Sequence, residues 1–345
     1  IMKPSLWFYP LVPLYWLGQK LHRGLYQSGI LAVDHPRQTV IGIGNIHAGG
    51  SGKTPLAMHL IGICQERGLS TAYVSRGYGR QGKSNLLVNM ADLDPRIYGD
   101  EACMVASALP ECTVIVANRR SDGIALAPKA DIVFVDDAFQ HWSLKPTLHI
   151  VTMPFNQRSS QQKLLPAGPL REGLSALCRA DMLVITNCPL DGCDSKALAQ
   201  ELELSPSIAL LCAQTLMDMP QPVGHELPWE GQAALLVAGL GQSQSVLEQW
   251  KAHLNAPKAK VLALPDHASL SGKNWASIQS LIQQSKSQAW ITSAKDLARL
   301  TPEQIQAYPL YVIASSMHII EGASSLFNQL EKLCAKKGQP LPLPS

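Results

Sequence analysis

Lys53 and Thr54 close a glycine-rich run, Gly49-Gly50-Ser51-Gly52-Lys53-Thr54, between the apolar stretch Val40-Ile41-Gly42-Ile43 and a helical pattern beginning at Pro55. Strand, loop and helix in that order make a cradle for phosphate. Side chains would keep the backbone away from phosphate oxygens, and some positions of such a loop need φ > 0, so glycine is required. The following helix adds unpaired N–H groups and the positive end of its dipole. A lysine at 53 reaches the β- and γ-phosphates, and the Thr54 hydroxyl ligates Mg²⁺. The nucleotide segment is therefore expected to comprise His47, Ala48, Gly49, Gly50, Ser51, Gly52, Lys53 and Thr54. One position departs from G-x-x-x-x-G-K-T: His47 stands at its first glycine.

Val133-Phe134-Val135-Asp136-Asp137 reads as a buried strand ending in two acids. Two aspartates can cap a turn or helix. At the C-terminal end of a strand beside a phosphate loop they read instead as holders of Mg²⁺, together with Thr54. Three more clusters are polar and glycine-rich: Ser75-Arg76-Gly77-Tyr78-Gly79-Arg80, Gly99-Asp100-Glu101 and Pro265-Asp266-His267. Arginine in the first can fork onto a phosphate, although a surface loop carries arginines equally well. Acids opening a helix also complement its dipole, and an Asp-His pair is as readily structural as catalytic.

The elements that must position these residues alternate. Thr39–Ile43, Thr71–Ser75, Thr113–Ala117, Asp131–Val135 and Leu148–Thr152 are short apolar runs suited to strands buried on both faces, with helical segments such as Pro55–Glu66 and Asp100–Ala108 between them. That order predicts an α/β fold, a P-loop NTPase-type doubly wound sheet. A second set, Met182–Thr186, Ile208–Ala213, Ala234–Ala238, Val261–Leu264, Ala289–Thr292 and Leu310–Ala314, predicts a second, smaller α/β domain with its own sheet. The division expected is residues 1–155 for the P-loop domain and 156–321 for the smaller domain closing over the cleft. A C-terminal helix at about 322–345, with Leu326, Leu330 and Leu333 at helical spacing, can return to the first domain. Ser159–Gly173, with Pro166-Ala167-Gly168-Pro169, is the expected crossing linker or lid.

At 345 residues the chain is long enough for two domains, and 46% hydrophobic with 16% charged residues is a globular balance. A net charge of +3 without any Lys/Arg block argues against a nucleic-acid groove. The eight cysteines form no C-x-x-C pair and have no histidines at zinc spacing, so they read as buried thiols in a reducing compartment. No secretory signal is expected. The longest apolar run, Leu6–Leu17, contains Pro10 and Pro13 and falls short of the ~20 residues of a membrane span.

Taken in order along most of the chain, these segments resemble one family, the tetraacyldisaccharide 4′-kinases (lipid A 4′-kinases) of lipopolysaccharide biosynthesis. The resemblance is carried by Gly44-Asn45 leading into Gly49–Pro55, by Ser75-Arg76-Gly77-Tyr78-Gly79, by Gly99-Asp100-Glu101 and by Asp136-Asp137-Ala138-Phe139-Gln140-His141. It continues through Leu165–Glu172, Pro265-Asp266-His267 and Lys295-Asp296. Members commonly lack glycine at the His47 position. Ala138 stands where members usually have Gly, and Ala294 where they usually have Glu, so position 294 is left out of the site.

The resemblance implies an ATP- and Mg²⁺-dependent kinase acting on the 4′-hydroxyl of a tetraacyldisaccharide 1-phosphate, at the cytoplasmic face of the bacterial inner membrane. It implies two α/β domains joined by a short ribbon, with the site in their cleft; no obligate protein partner is inferred. By the same resemblance Asp100 acts on the acceptor hydroxyl with His267 tuning it, and Lys53 completes the catalytic set. Arg76, Tyr78, Glu101, Gln140, His141, Arg171, Glu172 and Asp266 are the acceptor-side residues. That division suits the chemistry, because a sugar hydroxyl needs a carboxylate to take its proton as the γ-phosphoryl arrives.

After Pro13 the pattern is helical. Leu14, Leu17, Leu21 and Leu25 share one stripe, and Trp16, Lys20 and Arg23 another. By pattern alone, the leucines can pack on the P-loop domain or the helix can lie on a lipid surface. The lipid substrate favours the membrane.

The alternative reading is a membrane-associated P-loop ATPase switch without a sugar-lipid acceptor. That class carries a signature lysine where Ala48 stands. A GTPase is the other: Ser293-Ala294-Lys295 resembles a guanine-ring loop, but the Asn187 to Asp191 spacing is one too long and no D-x-x-G follows the acidic strand. A binding module with a dead P-loop does not fit intact Lys53, Thr54, Asp136 and Asp137.

Overall fold

The computed structural model describes residues 6–158, 163–189, 192–239, 243–257, 259–265, 268 and 270–335. The apolar runs fold as strands buried on both faces. Every residue is buried in β1 (Thr39–Asn45), β2 (Thr71–Ser75) and β5 (Ile132–Asp136), as expected where helices cover both sides of a parallel sheet. The short β3 (Leu86–Leu87) precedes β4 (Thr113–Val116). After β5 come β6 (Leu148–Pro154), β7 (Met182–Thr186) and β8 (Ala209–Met217). A second group follows: β9 (Gln221–Val223), β10 (Ala234–Ala238), β11 (Lys260–Ala263), β12 (Ala289–Ser293) and β13 (Leu310–Ile313). The last strand is β14 (Ser315–Glu321).

Two sheets result. The larger has nine strands in the order β14-β8-β7-β6-β1-β5-β2-β4-β3, parallel except at its two edges. The smaller has five, β11-β10-β12-β13-β9, with β9 antiparallel to β13. The P-loop strand β1 is central, and its neighbour β5 ends on the acid pair, with Ile43 in register with Asp136.

The boundary expected at residues 155/156 divides the larger sheet. Leu183 on β7 is in register with Val151 on β6 and with Leu210 on β8, so the two strands placed in the smaller domain by sequence extend the P-loop sheet instead. An apolar run carries no mark of the sheet it joins, and consecutive strands more often neighbour one another than not. The chain leaves for the smaller sheet after β8 and returns along it as antiparallel β14, with Ser315 facing Met217 and Asp218 N donating to Ala314 O at 3.0 Å. This two-stranded ribbon joins the two sheets.

The C-terminal helix Ala323–Ala335 follows β14 and buries Leu326, Leu330 and Leu333 in the same core as Ile41 and Leu60. Each fully buried leucine contributes about 1.5–3 kcal/mol, so this helix is an integral part of the larger unit. At the other end, the helix Val12–Gln27 has no buried residue. It is fixed by polar contacts: Tyr15 OH and Gln19 Nε2 donate to Arg171 O at 3.2 and 2.7 Å. Three of its leucines face outward, with Leu14 67%, Leu17 57% and Leu21 66% exposed, while Leu25 is half-buried. Among the described residues no helix is long and apolar enough to cross a membrane.

Candidate active site

The phosphate loop runs from β1 to the helix Lys53–Glu66, and buried polar side chains hold it from below. Asn45 Nδ2 donates to Ser51 Oγ at 2.8 Å, Ser51 Oγ lies 2.9 Å from Thr152 Oγ1, and Thr186 Oγ1 donates to the Ser51 carbonyl at 3.1 Å. These groups come from the ends of β1, β6 and β7, so three adjacent strands fix one loop. Gly52 caps the helix at φ 78°, and Gly49 has φ 111°, conformations that favour glycine. A Cβ at Gly49 or Gly50 would meet open space, which leaves the cradle clear on its outer side.

The segment around Pro166–Pro169 is no crossing linker. It straps the phosphate loop: Ala48 N donates to Pro169 O at 2.7 Å, Arg171 N donates to Ile46 O at 2.7 Å, and His47 bridges antiparallel to Leu170. The turn is tight enough that a Cβ on Gly168 would lie 2.4 Å from Lys163 O. The expected linker overlooked that backbone groups on both sides of residue 47 need partners.

Lys53 opens the helix with Nζ 3.6 Å from Asp137 Oδ1. Arg171 Nη1 reaches both oxygens of Asp137, at 2.9 and 3.0 Å. Burial raises the Asp137 carboxyl, but Lys53 and Arg171 outweigh it and hold the group below the ordinary carboxylate range. Asp136 is opposite in character. It is 6% exposed, its Oδ1 has no hydrogen-bond partner, and burial with Glu101 nearby pushes it up to about 7, against Lys53. A buried carboxylate oxygen without a donor, beside the start of the helix that carries Thr54, is the chemistry a hard divalent cation completes. The residues present therefore fit Mg²⁺.

Asp100 opens the helix Asp100–Ala108, after Gly99 at φ 85°. A Cβ on Gly99 would lie 2.9 Å from Gly77, and one on Gly77 would lie 2.7 Å from Tyr98 O, so the Ser75–Arg80 loop and the start of this helix pack backbone to backbone. That contact brings Arg76 to the same end of the sheet as Asp100. Arg76 is close enough to His141 to join burial and Arg120 in pushing that imidazole down to about 4, which keeps it neutral. Tyr78 is 73% exposed at the rim. Gln140 Nε2 donates to Asn45 O at 2.8 Å and to Glu172 Oε1 at 3.1 Å, tying the acid turn to the strap. Gly44 permits this approach, since a Cβ there would lie 2.4 Å from Phe139 Cβ. Asp266 and His267 lie outside the described residues.

Two arginines escape the sequence reading. Arg120, 4% exposed, donates from Nε to Asp136 O at 3.2 Å and from Nη1 to Ala117 O at 3.3 Å, placing a buried cation beneath the acid pair. Its signal is the polar run Asn118-Arg119-Arg120 at the end of β4. Arg299, from the smaller unit, pairs with Asp100 Oδ2 and donates to Asp296 Oδ1 at 3.1 Å. Asp296 is fully buried and accepts from Gly239 N at 2.9 Å and Ser293 Oγ at 2.8 Å. Between the N-terminal helix and the strap lies a cleft of about 230 Å³ lined by Trp16, Lys20, Arg23, Trp142 and Arg179. Arg179 pairs with Glu172 at 2.8 Å and stacks on Phe139 and Trp142, 4.3 and 4.4 Å from their ring centres.

The chain is similar to known proteins in sequence and in fold. A family described as Tetraacyldisaccharide-1-P 4'-kinase matches residues 4–335. The chain is 27% identical over 353 residues to the Tetraacyldisaccharide 4'-kinase of Phocaeicola vulgatus, covering 95% of this chain and 94% of that one. It is 32% identical over 311 residues to the enzyme of the same name from Chlorobium limicola, covering 85% and 88%. The fold matches the crystal structure of the "apo" form LpxK from Aquifex aeolicus in complex with ATP, with a TM-score of 0.72 at 22% identity over 95% of this chain and 98% of that one.

Proposed function

Because the chain belongs to the tetraacyldisaccharide-1-P 4'-kinase family, and is thereby an ATP-dependent phosphotransferase of lipid A biosynthesis, we propose a division of labour among its residues. The acceptor is the 4′-hydroxyl of the tetraacyldisaccharide 1-phosphate precursor, and the product is lipid IVA. The observation that carries the reading is the convergence of Lys53, Asp136 and Asp137 at the end of β1 and β5.

The backbone N–H groups of residues 49–54 and the Lys53 ammonium bind the phosphates and neutralise the charge that develops on the γ-phosphoryl. Thr54 and Asp136 would hold Mg²⁺, with Asp137 beside them orienting Lys53 and Arg171. A bound Mg²⁺ supplies charge neutralisation on the β- and γ-phosphate oxygens. Asp100, with His267 as the family resemblance has it, takes the proton of the acceptor hydroxyl. The bond from the 4′-oxygen to the γ-phosphorus forms as the bond to the ADP oxygen breaks. Arg76, Tyr78, Glu101, Gln140, His141, Arg171, Glu172 and Asp266 are assigned to the acceptor side.

The N-terminal helix is assigned to the membrane surface, with the protein peripheral at the cytoplasmic face of the inner membrane. Its polar face is occupied by Arg171 O, and Leu14, Leu17 and Leu21, with Phe8, Tyr9 and Leu11, stand exposed. Lys20 sits 4.0 Å over the Trp16 ring, an aromatic-basic pair suited to a headgroup layer. Lying this way, the helix would present a membrane-borne headgroup to the cleft between it and the strap.

The test is transfer of labelled γ-phosphate from ATP to a disaccharide 1-phosphate lipid, with and without Lys53→Ala. Removing the charge that meets the γ-phosphoryl should lower turnover by at least about 10²-fold, with thermal stability retained because Lys53 is partly exposed. Near-normal turnover in a folded Lys53→Ala protein would overturn the assignment.

A further inference from the structure

Three thiols converge at the β7–β8 pair, on the other side of β1 from the strand β5 that carries the acid pair. Cys188 follows β7, Cys212 lies on β8, and Cys193 precedes the helix Ser195–Glu201. Their sulfurs all lie within 4.8 Å of one another, and Cys193 Sγ donates to Cys188 Sγ at 3.1 Å. Sequence spacing hides the group, because Cys212 arrives from the neighbouring strand. Ile185 is in register with Cys212, and Cys188 N donates to Ala213 O at 3.0 Å, so the β7–β8 pairing itself brings the first and third sulfurs together.

We propose that Cys188, Cys193 and Cys212 form a thiolate site for a thiophilic closed-shell cation, of the class of Zn(II) or Cu(I). Soft thiolates select these ions. Metal–sulfur bonds of about 2.3 Å at tetrahedral angles set sulfur–sulfur separations near 3.8 Å, which small rotations of these side chains reach. A disulfide would use two of the sulfurs and leave the third beside it. A metal uses all three. Cys188 and Cys212 are buried and Cys193 is half-buried, so the ion enters past Cys193. Binding releases the thiol protons to solvent as the cation takes the three sulfurs. Glu321 accepts from Ser195 N at 3.3 Å and from Ser195 Oγ at 2.5 Å, and the ligand atoms that the described residues bring together are the three sulfurs.

The site would fasten the turn after β7, β8 and the start of the Ser195–Glu201 helix to one ion. Thr186, two residues before Cys188, grips the Ser51 carbonyl of the phosphate loop, so the staple would be linked to the nucleotide cradle without touching it.

The experiment uses the full chain, reduced and stripped with a chelator, then titrated with Zn(II) against a chromophoric competitor and with Cd(II) while its sulfur charge-transfer absorption is followed. The expected result is one ion per chain and at least a tenfold loss of affinity in each of Cys188→Ser, Cys193→Ser and Cys212→Ser. Cys178→Ser, at an exposed thiol elsewhere, should bind normally. Zn(II) should also protect Cys193 of the unaltered protein from alkylation while Cys178 reacts at its usual rate, a readout that needs no variant to fold. Absence of stoichiometric binding, unchanged affinity in Cys212→Ser, or a Cys188–Cys193 disulfide that forms despite saturating Zn(II) would each overturn the proposal.

Discussion

Replacing Arg299 with glutamine asks whether the smaller sheet helps to position the acceptor-side carboxylate. Its guanidinium spans Asp100 and Asp296, one on each side of the cleft. The Arg299 and Asp100 side chains are only 9% and 13% exposed, so the pair escapes most of the screening that reduces a surface ion pair. A hydrogen bond to a charged group contributes about 1.5–3 kcal/mol. At 1.36 kcal/mol per factor of ten, losing the Asp100 contact should lower kcat/KM for the lipid acceptor by roughly 10- to 150-fold. The fold should survive, because Asp296 keeps its bonds from Gly239 N and Ser293 Oγ. ATP affinity should be nearly unchanged, since the nucleotide segment 47–54 makes none of these contacts. Arg299→Lys keeps the charge without the fork and should recover part of the loss. Initial rates at varied acceptor and ATP, set beside ATP binding by calorimetry, separate these effects. A kcat/KM within about threefold of the parent, well under one factor of ten, would refute the reasoning. So would a parallel loss of ATP affinity, or a lysine variant no better than glutamine.

Leu14→Ser, Leu17→Ser and Leu21→Ser combined should weaken co-sedimentation with anionic vesicles while leaving the melting temperature unchanged, because exposed side chains contribute within about 0.5 kcal/mol each. Undiminished vesicle binding would remove the stripe from any membrane role. Gly44→Ala puts a Cβ 2.4 Å from Phe139 Cβ and 2.7 Å from Phe139 N, so thermal denaturation should report a loss of about 1–3 kcal/mol together with weaker ATP binding. A variant as stable as the parent would show that the acid turn can give way there.

The strands were legible because each is a short apolar run, and the phosphate loop because glycine, lysine and threonine at that spacing have few other uses. Arg171 and Glu172 entered the expected site through resemblance, and the structure gives them contacts, one to Asp137 and the other to Gln140 and Arg179. Pairing was not legible. β7 and β8 look no different in sequence from β10 and β12, yet the first two join the P-loop sheet and the last two do not. Lone arginines carry no local mark of their role. Arg120 becomes informative only once β4 brings it under Asp136, and Arg299 only once the Ala294–Leu297 turn meets the Asp100 helix. Convergence of cysteines on neighbouring strands is invisible to spacing rules for the same reason.

The return of the chain through β14 has a consequence for synthesis. A ribosome delivers β1 through β8 well before the final strand, so the growing protein carries β8 as an open sheet edge while the smaller sheet is being made. Met317 on β14 packs beside Gly52, its Cε 3.0 Å from where a Cβ would stand, and Leu326, Leu330 and Leu333 close the core beneath the Lys53–Glu66 helix. A nascent chain arrested before Ser315 therefore has a phosphate loop lacking one of its walls and an unpaired edge on which a second such chain can add a strand. Nucleotide binding should therefore be gained late, with the final strand and helix, and a chain stopped before them should aggregate rather than work as a smaller enzyme.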